Sequence, residues 1–218
     1  MKNLRILLAD DHSLMRRGLK SILETQTGWE ICAEAHTGRE AVTKAAQLRP
    51  DVVILDVCMP ELNGIEATRQ IRKASPRTEV LVLSVHGSNH LIREVIDAGA
   101  RGYLVKSDSD RELVAAVESL ARHKPFFTAH ATEMLLNGFT GDTGTPDRDN
   151  EMNQRLTSRE REIVQLLAEG KTSKEVASTL NISTKTAETH RAHIMRKLEF
   201  HSVGEIVRYA VRTQIIDL

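Results

Sequence analysis

Only two cysteines occur, Cys32 and Cys58, each inside or beside an apolar run, and that spacing supports neither a disulfide framework nor a zinc site. A reducing cytoplasm is the expected compartment. No stretch approaches the roughly 18 consecutive apolar residues of a membrane-spanning helix, and the first apolar run meets Asp10 and Asp11 too early for a signal peptide. Neither membrane insertion nor export is expected. Charge of one sign is lacking too: 30 Lys and Arg balance 30 Asp and Glu over 218 residues, so any basic surface must be local. No internal repeat is present. A chain of this length is expected to hold two domains, each burying its own core.

What is present is a change of pattern along the chain. Short apolar runs at residues 4–9, 30–35, 52–55, 80–83 and 102–105 read as five strands. Between them, residues 13–24, 39–48, 64–73, 89–98 and 109–121 carry apolar side chains at helical spacing. The third and fourth runs are continuously apolar and β-branched, as expected where helices cover both faces of a parallel sheet with right-handed crossovers. The fold class is therefore α/β: a doubly wound, five-stranded parallel (βα)5 domain over residues 1–122, followed by a second, smaller all-α domain. Residues 123–154 form the connection, with a possible short helix at 129–136 and a flexible linker at 138–154 rich in turn formers. Residues 155–218 show no strand signal, and three Ser/Thr-x-x-Glu boxes mark helix starts: Thr157 with Glu160, Thr172 with Glu175, and Ser202 with Glu205. Gly170 is placed to end the first of these helices, and Asn181-Ile182-Ser183 separates the second from a third at 184–198.

In an open parallel sheet, ligands bind outside the carboxyl ends of the strands. Here those ends carry Asp10 and Asp11, Asp56, Ser84 and Lys106. Taken singly each has an ordinary reading: a carboxylate capping the next helix, a turn serine, a solvated loop lysine. Together they gather three carboxylates, a hydroxyl and an ammonium at one edge. Such a set suits Mg2+, a hard cation that takes one or two carboxylates plus phosphate oxygens. With the charge of a transferring phosphoryl group neutralised by the metal and Lys106, Asp56 is placed to attack as a carboxylate nucleophile, and Ser84 to donate a hydrogen bond to the product.

The segments Leu-Leu-Ala-Asp-Asp-His, Val-Val-Ile-Leu-Asp-Val-Cys-Met-Pro-Glu-Leu-Asn-Gly, Leu-Ser-Val and Gly-Ala-Arg-Gly-Tyr-Leu-Val-Lys resemble the receiver domain of two-component regulators, over residues 1 to about 122. The resemblance implies that Asp11 and Asp56, with the main-chain carbonyl of Cys58, bind Mg2+, and that Asp10 assists through water. It implies further that Asp56 accepts phosphate from a histidine kinase, and that Ser84 and Tyr103 form a switch pair in which the hydroxyl moves and the ring follows. Lys106 precedes Ser107, where many receivers carry proline, so a cis peptide is not expected there. A reactive Cys58 thiolate is disfavoured beside so many carboxylates. His86 either tunes the lifetime of the acyl phosphate or is an exposed loop histidine.

Residues from about Leu156 to the C-terminus resemble the LuxR-type helix-turn-helix of NarL/FixJ regulators, carried by Leu-Thr-Ser-Arg-Glu-Arg-Glu-Ile and Ile-Ser-Thr-Lys-Thr-Ala-Glu-Thr-His-Arg-Ala-His-Ile-Met-Arg-Lys-Leu. Val176, Ala177 and Leu180 form the inner stripe of the second helix. On the third, Ala187, Ile194 and Leu198 fall on one side, leaving Lys185, Thr189, Ala192 and Arg196 opposite. Lys185, Glu188, Thr189 and Ala192 are the candidates for base edges in the major groove, and Thr184, Thr186, Arg191, His193 and Lys197 for backbone contacts. Arg191 tilts toward the apolar side and must snorkel or pack. The family usually has Val at the position of Ala187 and often a basic residue at that of Glu188, which leaves the operator sequence open. Eleven Lys and Arg against eight Asp and Glu from Arg155 onward make this domain modestly cationic. By resemblance the last helix, at 202–213, supplies the dimer contact through Val203, Ile206, Val207 and Ala210, with packing against the first helix of the domain taking part of that surface.

The expected function is a two-component response regulator: phosphorylation of Asp56 favours a homodimer on paired half-sites of double-stranded DNA and changes transcription. No catalysis is expected beyond its own phosphoryl transfer and dephosphorylation. A metal-dependent phosphohydrolase would share the nucleophile, but the Asp-x-Asp spacing and a capping domain are missing. A DNA-binding protein with a phosphate-insensitive scaffold would show unchanged DNA affinity on phosphorylation.

Overall fold

The computed structural model describes residues 3–85, 87–128, 131–133 and 156–217. They fall into two compact units.

The first unit is a parallel sheet with helices on both faces. Its elements run β1 (Leu4–Ala9), α1 (Ser13–Glu24), β2 (Trp29–Ala35), α2 (Gly38–Leu48), β3 (Val52–Asp56), α3 (Gly64–Ala74), β4 (Glu79–Ser84), α4 (Asn89–Asp97), β5 (Gly102–Val105), a 3-10 turn (Lys106–Asp108), α5 (Ser109–Ala121) and β6 (Phe126–Phe127). The strand order is β2-β1-β3-β4-β5-β6, every pair parallel. Alternation along the strands sorts the core. Ile6, Leu8, Val52, Ile54, Leu81, Leu83 and Leu104 join Leu19 and Leu23 of α1 and Leu113, Val117 and Leu120 of α5 in one cluster. Their neighbours Leu7, Val53, Leu55, Val80, Val82 and Tyr103 are equally buried and point to the opposite face, where α2, α3 and α4 pack in sequence. Burial on both faces is why the central strands are apolar at every position.

The sheet has six strands rather than the expected five. After α5 the chain reverses at His123 (φ 57°) and lays Phe126 and Phe127 beside Gly102 and Tyr103, with Phe126 packed on the core. Two residues are too short to show the period of two that marks a strand. Of the possible helix at 129–136, Ala131, Thr132 and Glu133 are helical; its remainder, the linker at 138–154 and His86 lie outside the described residues.

The second unit contains α6 (Ser158–Ala168), α7 (Ser173–Leu180), α8 (Thr184–Lys197) and α9 (Val203–Arg212). The three anticipated capping boxes all form: in each, the Thr157, Thr172 or Ser202 side chain accepts the N–H of the glutamate three residues on, and that glutamate's side chain accepts the cap N–H. Gly170 ends α6 with φ 83°, and Asn181 ends α7 with φ 52°, left-handed geometry that glycine and asparagine tolerate best. Ile163, Val164, Leu167, Val176, Leu180, Ala187, Ile194, Leu198, Ile206, Tyr209 and Ala210 form one core. The Phe200 ring meets Tyr209 edge-on at 5.7 Å.

Candidate functional site

The carboxyl edge of the sheet collects the expected residues. Because β1, β3, β4 and β5 are parallel and adjacent, Asp10 and Asp11, Asp56, Ser84 and Lys106 all emerge there. Lys106 Nζ lies 2.9 Å from Asp10 Oδ2 and 2.9 Å from Asp56 Oδ1, and none of the three side chains is more than 10% exposed. Asp10 is fixed further, its Oδ1 accepting the His12 N–H at 2.8 Å and its main-chain oxygen accepting from Arg16 at 2.7 Å. Asp11 keeps about a third of its side chain in water and sits 2.9 Å from His12 Nδ1. Asp10, Asp11, His12 and Asp56 each place one ligand atom within 4.8 Å of the others.

One ammonium among three carboxylates leaves surplus negative charge. Burial pushes the Asp56 carboxyl up to about 6; Lys106 opposes this, while Asp10 and Asp11 reinforce it. Burial also works against the Lys106 charge, but Asp56 and Asp10 outweigh it and hold its pKa above the ordinary lysine value. This donor set fits a hard divalent cation, which would relieve the repulsion and keep Asp56 ionised. Cys58 is half-buried, two residues beyond Asp56.

Two neighbours shape this edge. The Gly64 N–H donates to the Val57 oxygen at 2.7 Å, and a Cβ at Gly64 would lie 2.0 Å from the main-chain oxygen of Asp56; only glycine lets α3 start so close to the strand end. Tyr103 is fully buried and Ser84 nearly so, and a side-chain hydrogen bond joins them. Burial raises the Tyr103 phenol pKa, and the bond to Ser84 partly offsets that. No cis peptide occurs among the described residues, in keeping with Ser107 after Lys106. Arg16 and His12 were not singled out by sequence: Arg16 acts on a main-chain oxygen, and nothing in its spacing reports that.

The second candidate surface is α8. Ser183 caps it, accepting the Thr186 N–H at 3.0 Å. Ala187 and Ile194 are buried inside the unit; Thr184, Lys185, Thr186, Glu188, Thr189, Ala192 and His193 are exposed, and Arg191 is half-exposed. The Thr189 hydroxyl donates to the Lys185 carbonyl at 2.8 Å, leaving its methyl and lone pairs outward. Lys197 behaves differently. Its ammonium lies 2.7 Å from Glu160 Oε2, and His193 Nδ1 lies 3.6 Å from Glu160 Oε1. Glu160 was visible in sequence only as a capping residue, because its second role depends on a partner 37 positions away.

The dimer expectation needs correction at two positions. Ile206 and Ala210 are 0% exposed within the unit's own core, since α9 must close α6 and its inward stripe is spent on that. Val203, 37% exposed, and half-exposed Val207 remain outward.

Comparison with known proteins identifies the family of each unit. Residues 6–118 match the response regulator receiver domain, and residues 154–210 match the bacterial regulatory proteins of the luxR family. The chain is 36% identical over 216 residues to the oxygen regulatory protein NreC of Staphylococcus carnosus, covering 98% of this chain and 100% of that protein. It is 33% identical over 214 residues to the response regulator VraR of Staphylococcus aureus, covering 98% and 99%. A structure of the RcsB response regulator of Salmonella typhimurium, concerned with conformational dynamism for DNA interaction, superposes with TM-score 0.58 at 26% identity, covering 97% of this chain and all of that one. No helix among the described residues is long and apolar enough to cross a membrane. The chain thus belongs to the two-component response regulators, transcriptional regulators that join a receiver domain to a LuxR-type DNA-binding domain.

Proposed function

We propose that Asp56 is the phosphoacceptor, receiving a phosphoryl group from a cognate histidine kinase, and that its occupancy controls DNA binding by α8. The observation that carries this is the Asp10–Lys106–Asp56 arrangement, in which one buried cation touches two carboxylates at the strand ends. Asp11, Asp56 and the Cys58 carbonyl would hold Mg2+, with Asp10 assisting through water; the ion supplies charge neutralisation at the phosphoryl oxygens. Asp56 provides the attacking oxygen as the P–N bond of the kinase phosphohistidine breaks and its imidazole leaves, and Lys106 stays in place to bind the oxygens of the new acyl phosphate. Ser84 leaves Tyr103 to donate to that group, and the Tyr103 ring adjusts, altering the surface around β4 and β5.

In the same reading residues 1–122 are the receiver, 123–154 the connection and 155–218 the DNA-binding domain. Lys185, Glu188, Thr189 and Ala192 read base edges from the exposed face of α8, while Thr184, Thr186, Arg191 and His193 hold the phosphate backbone. Val203 and Val207 contribute to a homodimer on paired half-sites, and the protein works in the cytoplasm. Its only catalysis is on its own phosphoryl group.

The test is incubation of the full chain with acetyl phosphate and Mg2+. A hydroxylamine-labile adduct of one phosphoryl mass at Asp56, absent from Asp56→Asn, is expected, together with tighter binding to a duplex selected from random sequence. Absence of the adduct overturns the assignment. An adduct that leaves DNA affinity and oligomeric state unchanged favours a phosphate-insensitive scaffold.

A further inference from the structure

The acidic residue that caps the first helix of the DNA-binding unit also holds its recognition helix. Glu160 is 4% exposed. Its Oε2 accepts the Thr157 N–H at 2.7 Å and the Thr157 hydroxyl at 3.1 Å, and it also receives the Lys197 ammonium at 2.7 Å. Its other oxygen faces His193 Nδ1 at 3.6 Å. Lys197 stands near the C-terminal end of α8, one turn beyond His193, so the carboxylate of α6 grips that end of the helix through the Lys197 ammonium. The residue before it on α6 grips α7: Arg159 Nη2 donates to the Leu180 carbonyl at 2.9 Å, satisfying a C-terminal carbonyl of α7 just before the turn into α8. Adjacent residues of opposite charge on α6 thus secure both helices of the helix-turn-helix.

We propose that Glu160 is a positioning residue for DNA recognition, and that Lys197 serves the duplex through its bond to Glu160 rather than by touching a phosphate. The proposal rests on α8 being the recognition helix. A lysine free to reach a phosphate keeps its ammonium in water until DNA arrives. Lys197 is only 26% exposed, and its ammonium is bound to an almost fully buried carboxylate. Drawing it to a phosphate would leave Glu160 ionised and buried with Thr157 as its remaining close donor, which costs more than one surface phosphate contact returns. The bond fixes the angle at which α8 leaves α6, and with it the reach of Lys185 and Thr189 at the far end of the helix. Small rotations of α8 about its buried Ala187 and Ile194 would carry those exposed side chains away from base edges, so the predicted loss falls on sequence discrimination.

The experiment measures binding of the full chain to a duplex selected from random sequence with the wild-type protein, and to a scrambled duplex, over a range of salt concentrations. Lys197→Met and Glu160→Gln are both expected to lower the ratio of selected to scrambled affinity about tenfold, with the salt slope of scrambled-duplex binding unchanged, and the double variant to be no worse than the poorer single one. Arg191→Met, at a half-exposed position assigned to the phosphate backbone, serves as the comparison and is expected to reduce the slope by about 0.9, the value of one phosphate contact. Backbone amide shifts at Lys185 to Thr189, the end of α8 remote from the substitution, supply a second readout without DNA: Lys197→Met must perturb them, which a local change at Lys197 or loss of a phosphate contact alone would not do. Should Glu160→Gln fail to fold, the Lys197→Met slope and shifts still decide. A slope reduced by about one in Lys197→Met, with α8 shifts unmoved, overturns the strut. If instead Lys185→Met and Thr189→Ala leave selected-duplex binding intact, α8 is not the recognition helix and the proposed function fails with it.

Discussion

The Lys106 ammonium stands 2.9 Å from an Asp56 carboxylate oxygen, and it reaches Asp10 at the same distance. One cation therefore ties the ends of β1, β3 and β5 together and neutralises part of the charge that would otherwise push them apart. Lys106→Met removes the group that meets the incoming phosphoryl oxygens. The initial rate of adduct formation from acetyl phosphate is expected to fall by roughly 10² to 10³, the usual cost of losing one preorganised charge-stabilising donor. Intact-mass time courses with hydroxylamine reversal measure this, and an unchanged rate would show that the ammonium is structural only.

Surplus negative charge at this edge predicts the response to metal removal. Asp10 and Asp56 share one lysine and Asp11 lies in the same acidic cluster, so Mg2+ should raise the thermal midpoint of the wild-type receiver transition and EDTA should lower it. Asp56→Asn removes one of the three like charges. It is expected to be more stable than wild type in EDTA and to gain less from Mg2+, as read by calorimetry of the full chain. Equal Mg2+ shifts in the two proteins would place the ion elsewhere.

Much of this was legible in the sequence, and the reasons differ by element. The strand-end residues were readable because a parallel sheet turns five separate positions into one edge; topology alone brings Asp10, Asp56 and Lys106 together. The boxes at Thr157, Thr172 and Ser202 were readable because a cap is local and closes within four residues. β6 was not, since Phe126 and Phe127 pair with β5 without a run long enough to show alternation. The apolar stripe of α9 was expected to divide between a partner and the first helix of the domain; Ile206 and Ala210 fall on the inner share, and periodicity reports that a face is buried without saying which residues of it go to which neighbour. Lys197 meets the same limit: its bond to Glu160 joins positions 37 apart, and no local pattern in the sequence reports it.

Gly64 offers a test of how tightly the loop after β3 is built. A Cβ there would lie 2.0 Å from the Asp56 main-chain oxygen, a clash with backbone that no rotamer relieves. Gly64→Ala is expected to destabilise the receiver by about 1 to 3 kcal/mol, the range for overpacking a close contact, and to slow adduct formation by displacing the Asp56 strand end. Urea unfolding followed by Trp29 fluorescence, alongside the acetyl phosphate assay, reads both effects; wild-type values in both would mean that α3 shifts freely.

Tyr103→Phe separates the ring from its hydroxyl. The ring is fully buried beside β4 and should stay, while the hydrogen bond to Ser84 is lost. About 1 kcal/mol of stability is the expected cost. With Ser84 no longer held by the phenol, the acyl phosphate should engage it more readily, so phosphorylation should shift DNA affinity by a larger factor than in wild type. Fluorescence anisotropy with the selected duplex, before and after phosphorylation, gives that factor; an unaltered one would remove Tyr103 from the switch.

Glu160 makes the DNA-binding unit sensitive to acid. Burial alone would raise its pKa, but Lys197 and the two Thr157 donors outweigh that and hold the carboxyl below the usual glutamate range. A carboxyl whose folded value is depressed stabilises the fold fully above its unfolded pKa, near 4.3, and that contribution disappears as pH falls through the lower folded value. Wild type should therefore exceed Glu160→Gln in amide protection across α6 and α8 at about pH 7. The difference should persist to about pH 5 and close progressively below it, as the carboxyl takes up its proton and the bond to Lys197 loses its charge. A gap that stays constant through the acid range would trace the stabilisation to side-chain shape instead of ionisation, and would leave the grip on α8 independent of the Glu160 charge.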